Sequence, residues 1–62
     1  MNAVRELRRS ADLTQAELAR AAGTSQPTIA AYESGRKSPS LRTVSRMARA
    51  VGLEAVVVFP PP

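Results

Sequence analysis

The sequence predicts an all-α domain, a compact bundle of four short helices, followed by a short β-strand near the carboxyl end. Apolar residues recur three and four positions apart, and capping residues precede the apolar runs, so helices are favoured. Near the end of the chain, "EAVVVF" is β-branched and aromatic, which favours a strand. We therefore expect a helical domain over 1–52, a strand over 53–59 and a proline tail over 60–62.

The first helix is predicted from Val4, Leu7 and Ala11, which share one helix face. Asn2 precedes them as an N-cap, while Arg5 is expected to turn outward into solvent, as is Arg9. Arg8 shares the apolar face. Because an unpaired guanidinium is costly to bury, Arg8 needs an acidic partner.

The second helix has the strongest start signal in the chain. Thr14 and Glu17 have the spacing of a capping box, in which each side chain bonds the other's backbone N–H group. The helix is expected over 15–22 and to end at Gly23, because glycine readily adopts the positive φ found just past a helix end.

A third helix is predicted to begin in "TSQP" and to end near Ser34. Either Ser25 or Gln26 is its N-cap, since the following proline disfavours helical backbone in the residue before it. Residues 35–40 form an exposed loop, and Ser40 caps a fourth helix. The apolar stripe of that helix is Leu41, Val44, Met47, Ala48 and Val51.

The glycine between the second and third helices predicts that these helices cross. Two short helices cannot lie end to end and still bury their apolar side chains in one core. Those side chains are Leu18, Ala19, Ile29 and Tyr32. A crossed pair joined by a short turn with glycine is the helix-turn-helix, whose second helix projects into the major groove of DNA.

The composition favours an anionic partner and disfavours an enzyme. Nine Lys and Arg against five Asp and Glu give a formal net charge of +4, which suits nucleic acid. With no histidine, no cysteine and no phosphate-binding glycine loop, we expect no catalysis, no cofactor and no metal. The apolar tail is far shorter than the ~20 residues of a membrane span, so no membrane partner and a cytoplasmic location are expected.

Residues 13–52 resemble the helix-turn-helix of the phage Cro and C1 repressors and the related bacterial Xre-type regulators. The resemblance is carried by T-Q-x-E-L-A, the glycine, S-Q-x-T-I, Y-E-x-G and P-S-L. It implies a bundle of four or five helices that binds operator DNA as a dimer. It also implies that Arg8 and Glu33 form a buried ion pair and that Gln15 contacts a phosphate.

The resemblance further implies which side chains face the bases. They are Ser25, Gln26, Pro27, Ala30 and Ala31. Pro27 and Ala31 stand where several phage repressors carry side chains that hydrogen-bond to bases, so the family pattern does not specify the operator sequence.

Each candidate contact has a simpler alternative. Gln26 has the chemistry for a bidentate pair with adenine, but it is also an ordinary polar residue of a first helical turn. Ala30 and Ala31 suit thymine methyl groups or are simply good helix formers. The expected phosphate contacts are Thr28, Arg36, Lys37 and Arg42. The alternative for the three cations is a solvated surface.

The strand leaves backbone groups that need partners. One chain offers no second strand, so pairing with a second copy is expected to form a homodimer. The strand residues are Glu54, Ala55, Val56, Val57, Val58 and Phe59. Such a strand resembles those of antitoxin-type members of the family, which implies a toxin protein as a further partner. The alternative function is a protein interaction module whose strand augments a partner's sheet.

Overall fold

Four α-helices account for the regular structure of residues 2–52, the part of the chain that the computed structural model describes. They are α1 (Ala3–Ser10), α2 (Gln15–Ala22), α3 (Gln26–Glu33) and α4 (Leu41–Ala50). The prediction of a four-helix domain is thus confirmed for these residues. The strand predicted over 53–59, its pairing across a dimer and the proline tail lie outside the described residues.

Each helix begins at a side chain that caps it. Asn2, Thr14, Ser25 and Ser40 each have extended backbone and accept the N–H group three residues on. Thr14 and Glu17 form the predicted capping box, with bonds of 2.8 and 3.1 Å. At α3 the choice between two caps is resolved in favour of Ser25, and the adjacent proline lies inside the first turn, where a missing N–H costs nothing.

The turn between α2 and α3 depends on the left-handed backbone of Gly23, whose φ is +69°. The N–H of Thr24 donates to the carbonyl of Ala19 at 2.9 Å, which is the six-to-one bond of a Schellman helix end. This bond closes α2 abruptly, so the chain changes direction within three residues and α3 begins at a new angle.

One apolar core holds the four helices together. Helix α2 packs against α3 and α4, and α1 packs against the same two helices. The buried residues are Val4, Leu7, Leu18, Ala19, Ala22, Ile29, Met47 and Ala48. Because α3 contributes Ile29 to this core, the opposite side of its first turn is left facing solvent.

The structure corrects one part of the predicted apolar stripe of α4. Met47 and Ala48 are buried, and Val44 and Val51 pack at the edge of the core. Leu41, however, is 64% exposed. It is the first residue of α4 and lies beyond the turns that reach the core. It is therefore exposed, although its spacing matches that of the buried residues.

We expect Gly23→Ala to destabilise the domain by about 1–2 kcal/mol, because left-handed backbone is costly for a residue with a Cβ. A Cβ at this position meets no atom within 4 Å, so the cost is conformational rather than steric. Urea unfolding measures the loss. Gly23→Asn is the matched control and should lose less, since asparagine tolerates this conformation. Equal losses in the two variants would contradict the conformational explanation.

Candidate nucleic-acid interface

The first turn of α3 presents polar and small side chains to solvent. Ser25, Gln26 and Pro27 are exposed, whereas Ile29 is fully buried directly beneath them. Ala30 and Ala31, one turn further on, are half-buried. All five residues predicted to face DNA bases are therefore solvent-accessible and lie on α3 or at its N-cap, within reach of a single partner surface.

The hydroxyl groups of this turn are already engaged in capping. Ser25 Oγ accepts the N–H of Thr28 at 3.2 Å and lies 2.7 Å from Thr28 Oγ1. A hydroxyl has one donor and two acceptor sites, so each keeps capacity for a further bond. Thr28 is half-buried, while Gln26 is exposed.

The cations predicted to contact phosphates are all exposed on the surface. Arg36 and Lys37 are exposed in the loop that follows α3, and Arg42 is exposed in the first turn of α4. Arg36 Nε donates to Ser34 Oγ at 3.3 Å, and Lys37 Nζ lies 5.8 Å from the centre of the Tyr32 ring. These contacts are weak and solvent-exposed, so both side chains are free to turn toward a phosphate.

Gln15 occupies a different environment from these cations. It is half-buried at the start of α2, and its side-chain amide helps to lower the pKa of Glu33. The amide therefore faces the ion-pair cluster as well as the surface. If Gln15 contacts a phosphate, its amide must bond the phosphate and interact with Glu33 at the same time.

The opposite end of α3 is anchored by a buried carboxylate. Glu33 is 6% exposed, and its two oxygens accept Arg8 Nε at 2.7 Å and the Arg8 NH2 group at 2.9 Å. Arg8 also donates to the carbonyl of Leu13 at 3.0 Å, so one guanidinium joins α1, α3 and the α1–α2 turn. The structure thus brings together the two residues that the family resemblance paired.

The network around Glu33 contains two further residues whose role the sequence analysis missed. Arg5 was assigned to solvent and is half-exposed, yet its Nε lies 3.4 Å from Glu33 Oε1. Asn2 was identified only as a cap, but its amide also bonds the carbonyls of Tyr32 and Glu33. Residues 2, 5 and 8 are spaced three apart and so lie on neighbouring positions of one helix face, and this spacing relative to Arg8 is the signal that could have identified both.

Electrostatics favours the charged form of both partners in this pair. Hydrogen bonding from Arg8 holds the pKa of Glu33 below its ordinary value despite desolvation, which acts in the opposite direction. The hydrogen bond with Glu33 in turn raises the pKa of Arg8. Within residues 2–52 every buried side-chain nitrogen and oxygen has a hydrogen-bond partner, so the cluster is fully satisfied.

Residues 2–52 contain no group of three or more acidic, histidine or cysteine side chains placed to hold a metal ion. None of their helices combines the length and apolar character that crossing a membrane requires.

We expect Glu33→Gln to destabilise the domain by about 3 kcal/mol at pH 7, the low end of the range for breaking a buried pair, because Arg8 is partly solvated. Since the folded-state pKa of Glu33 is lowered, its contribution is complete above the unfolded-state value of about 4.3 and is lost as pH falls through the folded value. The difference between wild type and variant should therefore shrink under acid.

Chemical denaturation between pH 7 and pH 3 measures this difference, with Glu6→Gln as the control of equal charge change. Glu6 is exposed on α1, so its substitution should shift stability by no more than about 0.5 kcal/mol. A gap between wild type and Glu33→Gln that stays constant across this range would show that the Glu33 charge is not what stabilises the fold.

Comparison with known proteins identifies the family. The helix-turn-helix family model matches residues 4–57. An uncharacterized HTH-type transcriptional regulator of Methanothermobacter thermautotrophicus is 49% identical over 53 residues, 86% of this chain and 77% of that protein. The cryptic phage CTXphi transcriptional repressor RstR of Vibrio cholerae is 42% identical over 50 residues, 81% of this chain and 45% of that protein.

No solved structure matches the chain significantly. The family model nevertheless spans most of the sequence, including α2, α3, α4, all of α1 except its first residue, and the turn at Gly23. The chain therefore belongs to the Cro/C1-type helix-turn-helix family of DNA-binding transcriptional regulators.

Proposed function

We propose that this protein is a sequence-specific repressor that binds a pseudo-palindromic operator as a homodimer. The main support for this proposal is that the first turn of α3 is exposed, whereas Ile29 and Glu33 further along the helix are buried in the domain. A helix held in this way projects one end outward, which is how a recognition helix enters the major groove.

The chemistry of the exposed turn suits base edges. The Gln26 amide carries a donor and an acceptor side by side, and adenine presents the complementary pair, N7 and N6, in the major groove. Ala30 and Ala31 follow one turn later and are small, so they allow close approach and contact with thymine methyl groups. We propose direct base contact by Ser25, Gln26 and Pro27, with the two alanines shaping the fit.

The exposed cations suit the backbone on either side of the groove. Arg36 and Lys37 follow the end of α3, and Arg42 is the second residue of α4, so all three exposed charges come soon after the recognition helix in the chain. Phosphate contacts fix the position of a protein on the duplex without specifying sequence. We assign Arg36, Lys37 and Arg42 this role, with Gln15 and Thr28 as neutral donors.

We infer repression from a named relative and dimerisation from the expected strand. The Vibrio relative is named as a transcriptional repressor, which supports repression here. The residues proposed to join two copies are those of the expected strand, 54–59. Two-fold symmetry would present the two α3 helices to successive major grooves about 34 Å apart. An interaction module without DNA binding is not favoured, because both relatives are named as transcriptional regulators.

We expect Gln26→Ala to lose about 1–3 kcal/mol of binding free energy on an operator selected from a random duplex library, and to relax the preference at one base pair per half-site. Fluorescence anisotropy on the operator and on single-base variants measures both effects. Equal loss on every duplex would show that Gln26 does not specify sequence.

Arg36→Ala is the matched contrast, because an exposed phosphate contact should weaken binding to operator and random duplex alike. It should also lower the slope of log affinity against log salt by about one unit per lost contact. Titrations at several salt concentrations measure that slope. A slope unchanged from wild type would remove Arg36 from the proposed phosphate contacts.

We expect sedimentation of the full chain at micromolar concentration to show two copies, and deletion from Leu53 onward to yield a monomer. The physical reason is that an unpaired strand needs an edge-to-edge partner. A full-length monomer, or a dimer that survives the deletion, would contradict the role proposed for 54–59.

A further inference from the structure

Asn2 joins the beginning of α1 to the end of α3 through one short side chain. Its Oδ1 accepts the N–H of Arg5 at 3.0 Å, which caps α1. Its Nδ2 donates to the carbonyl of Tyr32 at 2.9 Å and to that of Glu33 at 3.1 Å. Only this orientation of the amide serves all three groups, because the oxygen must face an N–H and the nitrogen must face carbonyls.

These bonds complete the carboxyl end of α3. The last carbonyls of a helix have no partner within it and must be satisfied from elsewhere. In α3, the loop N–H groups of Lys37 and Gly35 serve Ala31 and Tyr32, both at 3.2 Å. The described partners of the Glu33 carbonyl both lie at the start of α1: Asn2, which is its N-cap, and the Arg5 NH2 group, each at 3.1 Å.

Asn2 differs from Arg8 in the groups that it bonds, which belong to the main chain of α3 and not to a side chain. Arg8 bonds the Glu33 carboxylate at the tip of a flexible side chain, and Arg5 is 47% exposed. Asn2 instead has a short side chain that bonds the main chain of α3 at two consecutive carbonyls. It therefore constrains the path of the helix itself, whereas Arg8 constrains a side chain that the helix carries.

We propose that Asn2 is a positioning residue for DNA recognition that fixes the angle at which α3 presents its first turn to the bases. This role rests on the proposed function. An eight-residue helix is about 12 Å long and Ile29 holds its middle in the core, so a rotation of about 10° about that point displaces the amino end, about 6 Å away, by about 1 Å. Base contacts tolerate a displacement of only about 0.5 Å, so a small change in the bonds made by Asn2 is enough to disturb the base contacts of Gln26.

The test is Asn2→Ser, which retains an N-cap of similar strength and the same charge but loses both bonds to α3. The quantity measured is the ratio of affinities for the operator selected by wild type and for a shuffled duplex. We expect this ratio to fall at least about threefold, with affinity for the shuffled duplex changed less than about twofold, because phosphate contacts tolerate small displacements.

Ser40→Ala is the control for lost stability alone. Its capping bonds stay within the first turn of α4, so its removal should lower the melting temperature and leave the affinity ratio unchanged. Asn2→Asp is the second variant, since it also keeps the cap but turns an acceptor toward the two carbonyls. It should lower the ratio at least as far as serine does, and it decides the question if the serine variant is unfolded.

An affinity ratio equal to that of wild type in folded Asn2 variants would overturn the proposal, whatever their melting temperatures. A wild-type chain that shows no preference for any selected duplex would instead overturn the proposed function, and the positioning role with it. The two failures are distinguished by the wild-type measurement alone.

Discussion

The ion pair between Arg8 and Glu33 is the interaction on which the arrangement of the helices depends. A carboxylate that is 6% exposed is stable only with charged or hydrogen-bonding partners, and the two guanidinium groups that bond it, those of Arg5 and Arg8, lie on α1. Helix α1 must therefore lie across the end of α3. The apolar core alone would allow the helices to slide, since burial is not directional, whereas the bond of 2.7 Å between Arg8 Nε and Glu33 specifies one register.

This constraint gives the two ends of α3 different properties. The carboxyl end is tied to α1 through a carboxylate and two main-chain carbonyls, and the middle is fixed in the core by Ile29. The amino end carries Gln26 on a turn that is closed by its own cap and otherwise faces solvent. Rigid support below an exposed turn is what specific recognition requires, because base contacts demand accurate placement.

The sequence predicted the helices well because their ends are determined locally. Capping at Thr14 and the glycine at position 23 depend on neighbouring residues, so the bounds of α2 follow directly from them. The prediction that Leu41 is buried was wrong, because periodicity identifies a helix face but does not say how far along the helix the core extends. The bonds of Asn2 and Arg5 to α3 were missed because their partners lie 28 to 31 residues away.

The decisive measurement is the structure of the protein bound to a selected operator duplex. We expect the first turn of α3 to lie in the major groove, with the Gln26 amide about 3 Å from a base edge and the Arg8 to Glu33 pair intact. A complex in which another surface enters the groove, or in which the first turn of α3 touches only phosphates, would contradict this expectation.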